Sequence, residues 1–140
     1  MERPVLYAII SMLFAGVTAV LAKFGMKNVS GDTALVVRTS LIFTLVWLNA
    51  FAFRQVASLV LLTRKDILFL GLSGLTTFFS WLFYYRAMKE GDVSVIATID
   101  KASIVVTIAL SFWLLKEPFT WRLAAGGALI LTGLVVLVWK

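Results

Sequence analysis

The stretch VSVIATIDKASIVVTIALSFWLL, residues 93–115, decides the class of fold. Twenty-one of its 23 residues are uncharged, and a helix of that length crosses a hydrocarbon layer of about 30 Å. Asp100 and Lys101 lie about a third of the way along it, where a charge costs about 2.5–3.5 kcal/mol on insertion scales. Because charges at such depth mark functional sites, this pair is the first candidate site.

The composition indicates that lipid surrounds most of the chain. Of its 140 residues 61% are hydrophobic and 14% are charged, whereas about a quarter are charged in a soluble domain. The absence of cysteine and histidine excludes disulfides, Cys/His metal sites and triads that need either residue. No other nucleophile has a base beside it, so we predict no enzyme activity and no cofactor. The net charge of +6 is spread between apolar segments, so nucleic acid is not an expected partner.

Five apolar segments reach spanning length and predict an all-α, multi-pass integral membrane protein that forms one domain over residues 1–140. The spans are residues 4–23, 33–53, 67–88, 93–115 and 121–139. Short turn-like loops join them, and Asp32 is predicted to cap the second helix. The longer segment 54–66 either extends the second helix or lies in the membrane interface.

The positive charges are almost equally divided between the two membrane faces. With five spans, one face has six basic loop residues and the other has five, or seven when Arg38 and Lys101 are added. The positive-inside rule needs a larger bias to set one orientation. We therefore expect copies to insert both ways and to pair as an antiparallel homodimer of ten helices. The alternative is one fixed orientation set by local effects.

The last third of the chain carries the motifs of a known family. Its GDVSVIA at residues 91–97, LKEP at 115–118 and GGALILTG at 126–133, with AKFG at 22–25, resemble the EamA repeat of the drug/metabolite transporter superfamily. Most members fuse two such five-helix repeats in opposite orientations. This chain is similar to the single-repeat bacterial and archaeal branch, which would build the inverted pair from two copies.

The resemblance implies a transporter in the cell inner membrane that exports a small metabolite or drug-like molecule by alternating access. Related small multidrug exporters use an acid in the first helix for proton coupling, and residues 4–22 contain none. Two alternatives stay open. One is a flippase-like or accessory subunit that acts with a different membrane partner, and the other is a membrane scaffold without transport.

Polar residues in the fourth and third spans are the candidate substrate contacts. In the fourth, Asp100 shares one helical stripe with hydroxyl residues, while Lys101 lies about 100° further round, so the two charges should serve different neighbours. The alternative is an ion pair that locks the bundle, with Arg38 as a possible partner. In the third, hydroxyl and aromatic residues share a face. The alternative is small-residue helix packing, with Tyr84 and Tyr85 as aromatic residues of the interfacial belt. The predicted contacts are Arg38, Thr77, Trp81, Tyr84, Asp100, Lys101, Ser103 and Thr107.

The connectivity places Arg38, Arg86 and the Asp100-Lys101 pair in the same half of the membrane. An excess of cations there would favour an anionic or carboxylate-bearing substrate, unless the arginines extend to the headgroups.

In the fifth span, Gly126 and Gly133 are seven residues apart and hence on one face. Such glycines allow close helix approach and are the predicted dimer contact, with packing inside the monomer as the alternative.

Overall fold

The computed structural model describes residues 3–139, and all regular elements of that part are helices. Helices long and apolar enough to cross a membrane number five within it, which confirms the five predicted spans. The fourth of these spans, Val93–Leu114, is made of two helices. The α-helices are α1 (Arg3–Gly25), α2 (Gly31–Ala52), α3 (Arg64–Glu90), α4 (Val93–Asp100), α5 (Ser103–Leu114) and α6 (Trp121–Val138), and a 3-10 helix (Gln55–Leu61) precedes α3.

The chain divides into two compact units at the turn that follows Glu90. The first unit holds α1, α2, the 3-10 helix and α3, and the second holds α4, α5 and α6. The single transmembrane domain expected from the sequence stays a prediction.

The core of the first unit lies at one end of its helices. Met26, Tyr85 and Met88 are at most 1% exposed, where α1 and α3 end and α2 begins. Most large apolar side chains are exposed instead, among them Phe14, Phe43 and Phe69 at 64–69%. Side chains of this kind on a span are solvated by hydrocarbon, so the small core is what a membrane helix bundle requires.

Gly31 allows the start of α2 to lie directly against the backbone of α3. A Cβ at this position would be 2.6 Å from the carbonyl oxygen of Tyr85 and 3.1 Å from the amide nitrogen of Arg86. Real Cβ atoms do not approach a backbone oxygen so closely, and only glycine fits here without a backbone shift. The main packing contact of the unit, between α2 and α3, therefore depends on a missing side chain.

Hydroxyl residues begin three of the helices. Ser30 caps α2, and its Oγ accepts a bond of 3.1 Å from the Thr33 amide. The prediction that Asp32 caps α2 is wrong, because its carboxylate pairs with Arg86 of α3 instead. Before α3, Thr63 and Asp66 bond reciprocally as a capping box. Before α6, the Thr120 hydroxyl accepts from the amide of Leu123.

The segment between α2 and α3 does not extend α2. Arg54 has a φ of 55°, in the left-handed region that interrupts a right-handed helix. The 3-10 helix Gln55–Leu61 follows and exposes apolar side chains, with Val60 87% exposed. Of the two sequence-based options, the helix extension is therefore excluded.

The fourth span is tightened in its interior, at Lys101 and Ala102. The Lys101 amide donates to the Thr98 carbonyl at 3.0 Å and the Ala102 amide to the Ile99 carbonyl at 2.9 Å, both bonds three residues long. Such 3-10 bonds separate α4 from α5, whereas the sequence predicted one uninterrupted helix over residues 93–115. A 3-10 turn inside a helix often marks a functional hinge.

In the second unit, α6 packs against both α4 and α5. Gly127 is buried, and a Cβ added there would lie 3.1 Å from the Cδ1 atom of Ile108. This glycine therefore sets the approach of α5 to α6.

Candidate functional site

Arg38 of α2 lies over two aromatic rings of α3. Its guanidinium carbon is 4.5 Å from the ring centroid of Trp81 and 5.5 Å from that of Tyr85. Contacts of this type contribute about 0.5–2 kcal/mol, more when they are shielded from water. Trp81 and Tyr85 are four residues apart and therefore share one face of α3. The structure thus brings two predicted site residues, Arg38 and Trp81, into contact.

A cavity of about 530 Å³ lies beside Arg38. Its walls come from α1, the loop that follows it, and α2, with Tyr85 contributed by α3. Apart from Arg38 and Tyr85, its polar residues are Thr18 and Thr33, and the rest of the lining is aliphatic or glycine. A volume in this range suits a small ligand, as does a mostly apolar wall with few polar groups.

Tyr85 has a buried polar atom without a hydrogen-bond partner among the described residues. The residue is 1% exposed, and its hydroxyl is buried without a bond to any described residue. Leaving such a group unpaired costs about 1–3 kcal/mol. Buried hydroxyls are paired in most proteins, so this one requires a partner or an explanation.

A second cavity, of about 380 Å³, lies between α2 and α3 and contains Thr77 and Trp81 in its lining. The hydroxyl of Thr77 is already used, since it donates to the Ser73 carbonyl of its own helix at 2.8 Å. Tyr84 is half-buried and meets Tyr85 edge to face, with 6.1 Å between ring centroids. Thr77 and Tyr84 thus lie near the cluster of Arg38, Trp81 and Tyr85.

Two lysines join the C-terminal ends of α1 and α3. Lys23 of α1 donates to the carbonyl of Met88 at 2.6 Å, and Lys89 of α3 donates to the carbonyl of Met26 at 2.6 Å. Each ammonium thus satisfies the last carbonyls of the other helix, where the macrodipole is negative. The bidentate pair between Arg86 and Asp32, at 2.8 and 3.0 Å, ties α3 to the start of α2. Together these bonds, which we call the terminal clamp, hold the end of the unit near Tyr85.

Asp100 and Lys101 pair with each other. The Lys101 Nζ lies 3.3 Å from the Asp100 Oδ2, so the prediction that the two charges serve different neighbours is wrong. The flexible lysine side chain reaches back across the turn that ends α4. Within residues 3–139 no three His, Cys, Asp or Glu side chains are grouped as a metal site.

Ser103 and Thr107 lie on α5, beyond the break, and both are exposed. The Thr107 hydroxyl donates to the Ser103 carbonyl at 3.0 Å, which leaves its oxygen able to accept. Each 3-10 residue turns about 20° more than an α-helical one, so the polar face of α5 is rotated about the helix axis from the single stripe predicted with Asp100.

Gly126 and Gly133, the predicted dimer contact, each have space around them, with no atom within 4 Å of an added Cβ.

Sequence reasoning gave Tyr85 no role beyond that of a belt aromatic, and it did not single out Gly31 or Gly127. The i, i+4 spacing of Trp81 and Tyr85, one helical turn apart, was the available signal for Tyr85. For the two glycines no such signal exists, because their importance depends on which helix lies opposite.

The five spans, two of which carry charged residues well inside their ends, define a multi-pass membrane protein. A family model described as "EamA-like transporter family" matches residues 3–139. A Sinorhizobium protein described as "Uncharacterized transporter in cobO 3'region" is 36% identical over 131 residues, which cover 94% of this chain and 93% of that protein. No solved structure matches the chain. The chain belongs to the EamA-like transporter family, which confirms the resemblance and points to a membrane transporter rather than an enzyme.

Proposed function

We propose that this protein exports a small metabolite by alternating access, as an antiparallel homodimer in the cell inner membrane. The observation that carries the proposal is the charged pair at the break between α4 and α5. Asp100 and Lys101 lie inside a span, and the 3-10 turn that holds them separates two half-helices. Transporters use interrupted membrane helices to form substrate and ion sites, and a turn of this kind is also a hinge.

The pair has the properties of a coupling group. Asp100 is half-buried and Lys101 is exposed, so a substrate can reach the pair without first displacing other side chains. Protonation of the carboxylate would remove its attraction for the ammonium and leave Lys101 free to bind an anion or to move. In this mechanism Asp100 senses the proton and Lys101 responds. Ser103 and Thr107 provide hydroxyls on the next turns of the route.

The dimer proposal rests on the distribution of basic residues between the loops and on the open space along α6. Basic residues are nearly balanced between the two faces, which favours insertion in both orientations. Two inverted copies would supply the ten helices of a two-repeat transporter from one chain, each copy contributing one transmembrane domain. Gly126 and Gly133 leave open space on α6, where a second copy can approach closely.

Transport by purified protein in liposomes tests the proposal, with solute-induced currents recorded for a panel of small metabolites. Asp100→Asn and Lys101→Ala should each lower the current at least tenfold. Asp92→Asn is the matched control, because this acid lies just before α4 and makes no capping bond. It should leave the current unchanged. If wild-type protein gives currents that both site variants preserve, the assigned role of the pair is wrong.

A further inference from the structure

We propose that the cavity beside Arg38 binds a monocarboxylate with an apolar body, and that this class of molecule is the substrate. The inference deepens the proposed transport function and rests on it. It starts from the charge balance around Arg38. Within residues 3–90 the structure shows no carboxylate paired with this arginine. Asp32 is occupied by Arg86, and Asp66 is bonded to Thr63 at the start of α3.

Arg38 is also fixed in place. Arg38 is the eighth residue of α2, about 10 Å along the helix axis from Gly31, and its side chain is half-buried. The rings of Trp81 and Tyr85 hold its guanidinium at 4.5 and 5.5 Å. Ring stacking leaves the edge of the guanidinium, which carries its N–H donors, available for a planar anion. An unpaired cation at this depth is costly, and a bound anion would offset that cost.

The hydroxyl of Tyr85 is a second group at this end of the unit that lacks an acceptor among the described residues. Tyr85 lines the same cavity, is 1% exposed and has no hydrogen-bond partner among the described residues. A phenol can donate one hydrogen bond, and an arginine can only donate. Both groups therefore lack an acceptor, and a carboxylate supplies several acceptor positions at once.

The other residues that line the cavity indicate what the rest of the ligand must be like. Leu21, Val37 and Leu41 are among the aliphatic side chains that line the cavity, and Thr18 adds a hydroxyl. Only one cation lines it, so a singly charged ligand is balanced and a dianion is not. The volume of about 530 Å³ accommodates an aromatic or branched acid of modest size. The cavity thus favours an amphipathic monocarboxylate over a sugar, a phosphate ester or a cation.

Calorimetric titration of protein in phosphatidylcholine nanodiscs tests this assignment. The probes are phenylacetate, the neutral phenylacetamide and the cationic phenethylamine, which share one apolar body. We expect the carboxylate to bind at least tenfold more tightly than either analogue. Arg38→Gln should abolish that preference, and Arg38→Lys should restore part of it through charge alone. Arg64→Gln, which removes a charge from the start of α3, is the matched control and should bind like wild type.

Tyr85→Phe keeps the ring and deletes only the unpaired hydroxyl, so we expect this variant to fold like wild type. It should weaken phenylacetate roughly threefold to tenfold, the equivalent of one hydrogen bond, and leave phenylacetamide within twofold. A phenylacetate affinity equal in wild type and both Arg38 variants would overturn the proposal. Preferential binding of phenethylamine would overturn it as well.

A lipid headgroup is the other source of an acceptor anion, and a second set of nanodiscs distinguishes it. If added phosphatidylglycerol eliminates phenylacetate binding, the occupant is an anionic lipid and the proposal fails. Transport separates this inference from the proposed function. Carboxylate binding without any solute current would reject the transport mechanism alone, whereas currents for other solutes with no carboxylate binding would reject the substrate class alone.

Discussion

At the scale of single residues, Gly31 offers the sharpest test of packing in the first unit. Gly31→Ala would place a Cβ 2.6 Å from the Tyr85 carbonyl oxygen, so α2 and α3 must separate. We expect a loss of about 1–3 kcal/mol in stability, the usual cost of overpacking, and a lower midpoint of thermal unfolding in detergent. Gly71→Ala is the matched control.

Gly71 has no atom within 4 Å of an added Cβ, and it lies inside α3. Alanine there should leave the midpoint unchanged or raise it, because alanine favours a helix by about 0.8–1 kcal/mol over glycine. Equal effects of the two substitutions would show that backbone contact at Gly31 does not limit stability.

Capping patterns in the sequence are informative where the environment of the residue is local. The hydroxyl at Thr120 lies before an apolar run and does cap α6, as its position indicates. Asp32 has the same local signature, yet it pairs with Arg86, 54 residues away. A capping pattern describes only the nearest turn, so it cannot tell when a distant guanidinium competes for the carboxylate.

At the scale of elements, the terminal clamp should govern how far α1 and α3 fray at their C-terminal ends. Lys23→Met and Lys89→Met keep the length of the side chain and remove the ammonium that each helix receives from the other. Amide exchange in the last turns of α1 and α3 should become roughly threefold to tenfold faster, since each change removes at least one hydrogen bond.

Lys27→Met is the matched control for the clamp. Lys27 is exposed in the same loop, and only its backbone carbonyl receives a clamp bond, from Lys89. Its substitution should leave the exchange rates near those of wild type. Rates that rise equally in all three variants would mean that loss of charge, rather than the cross-capping bonds, loosens the helix ends.

The fourth span shows how far an element can be derived from composition. Its length and apolar character predicted a membrane crossing, and the structure has one over Val93–Leu114. The break at Lys101-Ala102 was not predicted, because neither residue opposes a helix as glycine or proline does. The charged pair was predicted as a candidate site from its cost in lipid, and that role stays a prediction. That Asp100 and Lys101 pair with each other was not predicted, because their contact depends on the local turn.

At the scale of the whole molecule, the number of spans follows from the sequence because hydrocarbon imposes one length on every crossing. The clustering of Arg38 with Trp81 and Tyr85 does not follow, since it depends on the rotation of α2 against α3. That rotation is set by contacts such as the one at Gly31, which no periodicity reveals. The candidate residues were therefore partly predicted, and their grouping was not.

The balance of basic residues leads to a prediction about orientation in the cell. The chain contains no cysteine, so single cysteines report cleanly. Lys27→Cys and Ser58→Cys lie at opposite ends of α2 and hence on opposite faces of the membrane. With copies inserted both ways, an impermeant thiol reagent should label about half of each variant in intact cells. Labelling of only one of the two positions would contradict dual insertion.

If the working unit is an antiparallel pair, biasing the orientation should separate insertion from function. Gln55→Lys with Ser58→Lys adds two positive charges to one face, which should retain that face in the cytoplasm. This variant alone should lose transport, since no inverted partner remains, while Gln55→Asn with Ser58→Asn should keep it. Coexpression with a chain biased the other way, by Asn28→Lys and Glu90→Lys, should restore transport, because each supplies the orientation that the other lacks. Transport by either biased chain alone would show that one orientation suffices.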